Sequence, residues 1–161
     1  MRKCTKYFAA IAVVIVGLAA PVLVTAQPAQ KYAPRLADIM SAVQFRHLKL
    51  WTAGQQQNWE LAAYELEQVK AGLTEAISFY TNIPVENVGM IDPPITSLDK
   101  SIAAKNGAGF KKAFNELTAG CNACHQSTGR GFIAMTVPAA SPFSNQSFSP
   151  GHASEMGSRP R

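Results

Sequence analysis

A pentapeptide in the last third of the chain, Cys121-Asn122-Ala123-Cys124-His125, constrains the fold and the chemistry more than any other stretch. On a helix, residues three positions apart lie on one face, so both thiols can reach the same edge of a planar ligand. The histidine that follows directly then lies under that ligand. The order C-x-x-C-H is the attachment signal of a c-type haem, whose iron takes a histidine as its proximal ligand. The sequence therefore predicts one covalent haem c, bound by Cys121 and Cys124, with His125 on the iron.

Three other uses of a cysteine pair compete with haem attachment. A thioredoxin-like dithiol belongs beside a βαβ pattern, and the chain has no convincing strand pattern. A zinc site takes four ligands, and beyond the pentapeptide the sequence offers only His47, His152 and a few carboxylates. A structural disulfide does not require the histidine. Haem attachment therefore accounts for more of the pentapeptide than the alternatives do.

Residues 1–26 have the parts of a secretory signal peptide. Three basic residues precede an almost wholly apolar stretch at 7–20, and small residues at 24–26 suit signal peptidase. The apolar stretch is shorter than the ~20 residues of a membrane-spanning helix, and Pro21 interrupts it. We therefore expect cleavage after residue 26 and export to the bacterial periplasm, where haem-attachment machinery acts.

The formal charge of the whole chain is +5, from 15 basic and 10 acidic residues. The signal peptide contains three of the basic residues and none of the acidic ones, so the mature chain is close to neutral. The apparent basicity is thus largely a targeting feature, and we infer no nucleic-acid partner from it. Cleavage also removes Cys4, which leaves Cys121 and Cys124 as the only cysteines.

Two stretches in the first half of the mature chain have apolar residues at steps of three and four, which predicts two amphipathic helices. The first begins at Pro34 and ends near Gly54, and the second follows Asn58, a favoured N-cap residue. The first helix has a seam, defined as its row of inward residues, at Leu36, Met40, Val43, His47 and Leu50. The short turn between the helices predicts antiparallel neighbours, with Glu65 on the solvated face of the second.

Two further helices are predicted beyond a proline-rich connection at residues 81–94. The third is capped by Asp92 and ends at Asn106-Gly107, and the fourth begins near Ala108 or Gly109. The seam of the fourth helix consists of Phe110, Phe114, Leu117, Cys121 and Cys124. Because the cysteines continue the apolar seam, the porphyrin is expected inside the helical bundle.

The composition changes to Gly, Ser and Pro after His125, which predicts an irregular tail at residues 128–161. Residues 132–135 are apolar enough to fold back against the haem edge, and disorder is expected from about Pro150. The predicted organisation is therefore a signal peptide at 1–26, a lead at 27–33, a four-helix domain at 34–127 and the tail.

Four helices with C-x-x-C-H near the end of the last one resemble the class II c-type cytochromes, the group of cytochrome c′. The resemblance extends over residues 34–125, and its specific part is the pentapeptide. It implies an all-α, antiparallel four-helix bundle with haem attached through the last helix. It is also compatible with a homodimer. It also implies that the first helix faces the open side of the iron. The 36 residues after His125 depart from the family, so the chain would be a divergent member with a C-terminal extension.

Three residues are candidates for the sixth position on the iron. Met40 is the first, because it lies on the seam of the first helix and matches the family position. His47 is the second, although a histidine on an apolar seam is more often buried and hydrogen-bonded. Met135, on the tail, is the weakest, because a mobile segment fixes a ligand poorly. An empty site is the remaining possibility.

These expectations together describe an exported monohaem cytochrome that carries single electrons between Fe(III) and Fe(II) and is not an enzyme. Its partners would be redox proteins of a periplasmic electron-transfer chain. The alternative function is that of a five-coordinate haem protein that binds nitric oxide or carbon monoxide. A minor peroxidase activity, with His47 as the acid–base group, also stays open.

Overall fold

The computed structural model describes residues 32–84, 86 and 89–151. The predicted signal peptide and the last ten residues of the tail lie outside this part. The described residues contain four α-helices of 12 to 21 residues and no β-strand: α1 (Leu36–Gln55), α2 (Trp59–Phe79), α3 (Asp92–Ala103) and α4 (Gly107–Ser127). The predicted all-α class with four helices is confirmed. In the described part, no helix combines the length and the apolar character needed to cross a membrane.

Asparagine side chains cap two of the helices at their N-termini. Asn58 accepts a hydrogen bond from Leu61 N at 3.1 Å, as predicted for α2. Asn106 accepts one from Gly109 N at 3.0 Å, so α4 begins at Gly107, slightly earlier than predicted. Each cap satisfies a backbone N–H that has no partner within its helix.

The remaining predicted helix ends differ from the structure by a few residues. Helix α1 begins at Leu36 rather than at Pro34. The predicted cap at Asp92 is wrong, because Ile91 precedes α3 and Asp92 is already in its first turn, where its charge complements the helix dipole. Helix α3 ends at Ala103, before a turn in which Lys105 has a φ of 52°.

The predicted end of α1 near Gly54 is confirmed to within one residue, although Gly54 itself does not turn the chain. The helix continues to Gln55, and the left-handed turn that follows is made by Gln57, with a φ of 57°. Gly54 is buried inside the helix, and a Cβ atom there would overlap the ring of Phe110 on α4. The absence of a side chain at Gly54 therefore allows α1 and α4 to approach each other closely.

The packed core lies where the second half of α1 meets the first half of α4. Phe110, Phe114 and Leu117 are fully buried, as the seam of α4 predicts. The indole of Trp51 packs on Phe114 with ring centroids 4.8 Å apart, and Trp59 meets Phe110 edge-on at 6.0 Å. Since α1 packs mainly on α2, and α3 on α4, this aromatic cluster joins the two helix pairs.

Glu65 does not lie on the solvated face of α2, contrary to the prediction. It is 1 % exposed, and its carboxylate contacts Arg46 Nη1 on α1 at 3.2 Å. A buried carboxylate is tolerable when a cation accompanies it, because the pair compensates part of the lost hydration. Periodicity within α2 could not show this, since the partner belongs to another helix.

The described part of the tail, residues 128–151, is irregular and packs against the helices. Phe148 is buried, and Phe143 lies between it and Phe45 of α1, with ring centroids 5.1 and 5.4 Å away. Asn58 Nδ2 donates to Ser149 O at 3.4 Å. Almost all of the region where disorder was predicted lies outside the described residues.

We expect Gly54→Ala to lower the free energy of unfolding by about 1–3 kcal/mol, because the new methyl group meets the Phe110 ring. Alanine favours a helix over glycine by about 1 kcal/mol, so a net loss has to come from this overlap. Urea unfolding of both proteins measures the difference.

Gly107→Ala is the matched control, because a Cβ there meets nothing within 4 Å. It should leave the stability unchanged or raise it slightly. Equal stability of the two variants would show that the approach of Phe110 to Gly54 imposes no constraint.

Candidate haem-binding site

A cavity of about 380 Å³ lies between the first half of α1, the middle of α2, the second half of α4 and the tail. This volume falls within the ~300–1,000 Å³ that is usual for cofactor and ligand sites. The structure brings all six predicted site residues to its lining: Cys121, Cys124, His125, Met40, His47 and Met135.

Apolar side chains form most of the rest of the lining, with Leu36 and Val43 from α1 and Val69 and Leu73 from α2. Among the described lining residues, Arg130 alone is permanently charged. An apolar interior with one cation suits a planar apolar ligand that carries carboxylates at its edge.

The two thiols are half-buried and unlinked. Burial raises the pKa of Cys121 to about 11, and the neighbouring Cys124 thiol adds to the shift. Burial also raises the pKa of Cys124, while the charge of Arg130 opposes it. A dithiol oxidoreductase depends on a cysteine whose pKa is lowered, so these thiols have the opposite character.

His125 is oriented by the tail. Its Nδ1 lies 2.7 Å from the carbonyl oxygen of Ile133. Because a carbonyl only accepts, Nδ1 carries the proton, and in the neutral form of the ring Nε2 is the nitrogen with the lone pair. Histidines that bind metals commonly hold their other ring nitrogen in this way, which fixes the tautomer and raises the basicity of the ligand. The donor set thus fits an axial iron ligand.

His47 is buried at the boundary between the cavity and the packed core. Its Nε2 lies 2.9 Å from Thr118 Oγ1, whose own proton goes to Phe114 O at 2.9 Å. Thr118 therefore accepts from His47, and Nδ1 is the ring nitrogen with the lone pair. Burial lowers the pKa of His47 to about 4, so the imidazole is neutral at neutral pH.

The two candidate methionines line different walls of the cavity. Met40 is half-buried on α1, whereas His125 is on α4. Met135 is on the tail, and Asn122 of α4 holds its backbone with hydrogen bonds of 2.7 and 2.9 Å. The mobile segment expected around Met135 is thus tied to α4 in the structure.

Sequence reasoning missed Thr118, Gln44 and Asn122 as part of the site. Gln44 lines the cavity from α1, Thr118 holds His47, and Asn122 holds the tail. Thr118 lies four residues after Phe114 of the seam, so helical periodicity offered a weak signal for it. Asn122 occupies a position that the C-x-x-C-H pattern leaves free, and nothing in the sequence indicated its role.

Comparison of the chain with protein-family models, with curated proteins and with solved structures gives no match. Within residues 32–84, 86 and 89–151, no three His, Cys, Asp or Glu side chains cluster as a metal-ion site.

We expect His47 to make the protein less stable as the pH falls from about 6.5 to 4. The unfolded chain protonates this histidine at its ordinary pKa of 6.5, whereas the folded state keeps it neutral down to about 4. Above pH 6.5 His47 is neutral in both states and contributes nothing to the pH dependence. At 1.36 kcal/mol per pKa unit, the loss is on the order of 3 kcal/mol by pH 4.

Urea unfolding of the haem-free protein and of its His47→Gln variant, at pH 7 and pH 4.5, measures this contribution. Glutamine can still donate to Thr118 but does not titrate, and the other titrating groups are common to both proteins. The stability advantage of the wild type should shrink at the lower pH. Identical pH profiles would contradict the burial of a neutral His47.

Proposed function

We propose that this chain is an exported monohaem c-type cytochrome that carries single electrons in the periplasm. The observation that carries the proposal is the meeting of three groups in one apolar cavity. The Cys121 and Cys124 thiols line it, and the Ile133 carbonyl leaves Nε2 of His125 as the nitrogen with the lone pair. A simple disulfide or a reactive dithiol requires neither the oriented histidine nor the apolar cavity.

The fold that we propose for this function is an antiparallel four-helix bundle. Contacts between the ends of α1 and α2 support it: the hydroxyl of Tyr80, just after α2, accepts from Leu36 N and donates to Pro34 O. At the other end of the pair, a turn of three residues joins the helices. Helices α3 and α4 are likewise joined by a turn of three residues.

The thiols, the histidine and the apolar side chains of the lining have proposed roles that follow from their chemistry. Cys121 and Cys124 would hold the haem through thioethers, and His125 would bind its iron from the α4 side. Leu36, Val69 and other apolar side chains exclude water from the site. When bound, haem supplies the Fe(III)/Fe(II) couple that takes up and releases one electron.

Arg130 is the residue that we assign to a haem propionate. It lines the cavity five residues after His125, and its Nη1 also donates to Thr128 O at 3.0 Å. A guanidinium can hold a carboxylate through two parallel hydrogen bonds, which would orient the edge of the ring.

Met40 is the distal ligand that the geometry favours. His47 already donates Nε2–H to Thr118, so only its Nδ1 could bind iron. Met135 lies two residues after Ile133, whose carbonyl accepts from His125, which favours a position on the side of the cavity that we propose as proximal. Met40 lines the cavity from α1, and a thioether ligand suits an electron carrier because it raises the reduction potential.

The test is the absorption spectrum of the mature protein, co-expressed with haem-attachment machinery and recorded after reduction, with and without carbon monoxide. We expect sharp α and β bands that carbon monoxide does not change. In Met40→Ala the bands should broaden to a high-spin spectrum, and carbon monoxide should then bind, because the sixth position is open.

Met90→Ala is the matched control, because Met90 is 41 % exposed in the connection between α2 and α3. Its spectrum should equal that of the wild type. If the wild type already binds carbon monoxide readily and Met40→Ala changes nothing, the electron-carrier role is wrong. The gas-binding alternative would then hold.

A further inference from the structure

Three hydrogen bonds made by side chains of α4 fasten residues 133–135 of the tail to the last turns of that helix, in addition to the backbone bond from Arg130 N to His125 O. Met135 N donates to Asn122 Oδ1 at 2.7 Å, and Asn122 Nδ2 donates back to Met135 O at 2.9 Å. The third joins His125 Nδ1 to Ile133 O at 2.7 Å. We call the first two bonds the Asn122 clip.

The Asn122 clip and the hydrogen bond of His125 both join α4 to the tail, and they lie close together along both segments. Asn122 and His125 are three residues apart on α4 and so lie on one face of it. Ile133 and Met135 are two residues apart in the tail. The carbonyl that orients His125 is therefore held close to the point where the clip fixes the tail.

Asparagine is suited to this clip by its chemistry. A side-chain amide offers both an acceptor and a donor, so it can pair with the N–H and the C=O of a single residue. The C-x-x-C-H signal leaves its two middle positions free, so haem attachment does not demand asparagine at position 122.

We propose that Asn122 is a positioning residue for the proximal iron ligand, an inference that rests on the proposed function. By fixing Met135 it holds the Ile133 carbonyl on His125 Nδ1, and this bond sets the tautomer and the direction of Nε2. A carbonyl acceptor raises the basicity of the imidazole, which stabilises Fe(III) over Fe(II) and lowers the reduction potential. The tail would thus influence the reduction potential of the iron through His125.

The chain provides a matched control on the same helix. Asn115 lies seven residues before Asn122, and its Nδ2 donates to Lys111 O within α4. Asn115→Ala therefore removes an asparagine of comparable helical setting without touching the tail. Asn122→Asp is a graded variant, because it keeps the acceptor for Met135 N and loses the donor to Met135 O.

The experiment compares the haem-loaded wild type with Asn122→Ala, Asn122→Asp and Asn115→Ala. The first measurement is the midpoint reduction potential. The second is the exchange of the Met135 amide and His125 Nδ1 protons with solvent, followed by nuclear magnetic resonance of the reduced protein.

We expect Asn122→Ala to raise the potential and to speed both exchanges on the order of tenfold, since the tail loses two hydrogen bonds. In the exchange rates Asn122→Asp should lie between Asn122→Ala and the wild type, and Asn115→Ala should match the wild type in both measurements. If Asn122→Ala does not fold, the exchange rates of Asn122→Asp decide the question, because the added carboxylate charge shifts the potential by itself.

An unchanged potential in Asn122→Ala with covalent haem, or unchanged exchange rates in Asn122→Asp with covalent haem, would overturn the positioning role and leave the proposed function intact. A shift of equal size in Asn115→Ala would also overturn it, because the effect would then be general to α4. Absence of haem from the wild type would overturn the proposed function and this inference together.

Discussion

The rest of the structure depends on the burial of one face of α4. Its first half packs Phe110, Phe114 and Leu117 into the core, and the same row continues to Cys121 and Cys124 at the cavity. The second half of α1 packs closely on the aromatic rings of α4 through Gly54 and Trp51. The first half of α1 instead lines the cavity that the two cysteines of α4 also line. The core and the cavity are therefore two ends of one helix interface, with the hydrogen bond between His47 and Thr118 at their boundary.

The tail forms one side of the cavity. Its first part supplies Arg130, Ile133 and Met135 to the cavity, and its later part buries Phe148 in the core. Hydrogen bonds to Asn122 and His125 connect it to α4. The direction in which His125 presents Nε2 is consequently a property of two segments of the chain, and the pentapeptide alone does not determine it.

Much of this could be predicted from the sequence, because helical periodicity is local. The steps of three and four placed four helices and brought Met40 and His47 to the same cavity as the cysteines. What could not be predicted depends on contacts between elements. The burial of Glu65 requires Arg46 from α1, and the role of Gly54 requires the ring of Phe110. The anchoring of the tail requires an asparagine in a position that the attachment signal leaves free.

The proposed function requires that Cys121 and Cys124 hold a haem covalently, and the mass of the intact protein after denaturation measures this directly. The mature protein is co-expressed with haem-attachment machinery, unfolded in acid and organic solvent, and compared with Cys121→Ala/Cys124→Ala. We predict that the wild type keeps the mass and the absorbance of one haem after unfolding, since thioether bonds survive denaturation, whereas the double variant has the mass of the polypeptide alone. A wild-type mass equal to that of the bare polypeptide, with or without a disulfide, would contradict covalent haem attachment and the proposed function.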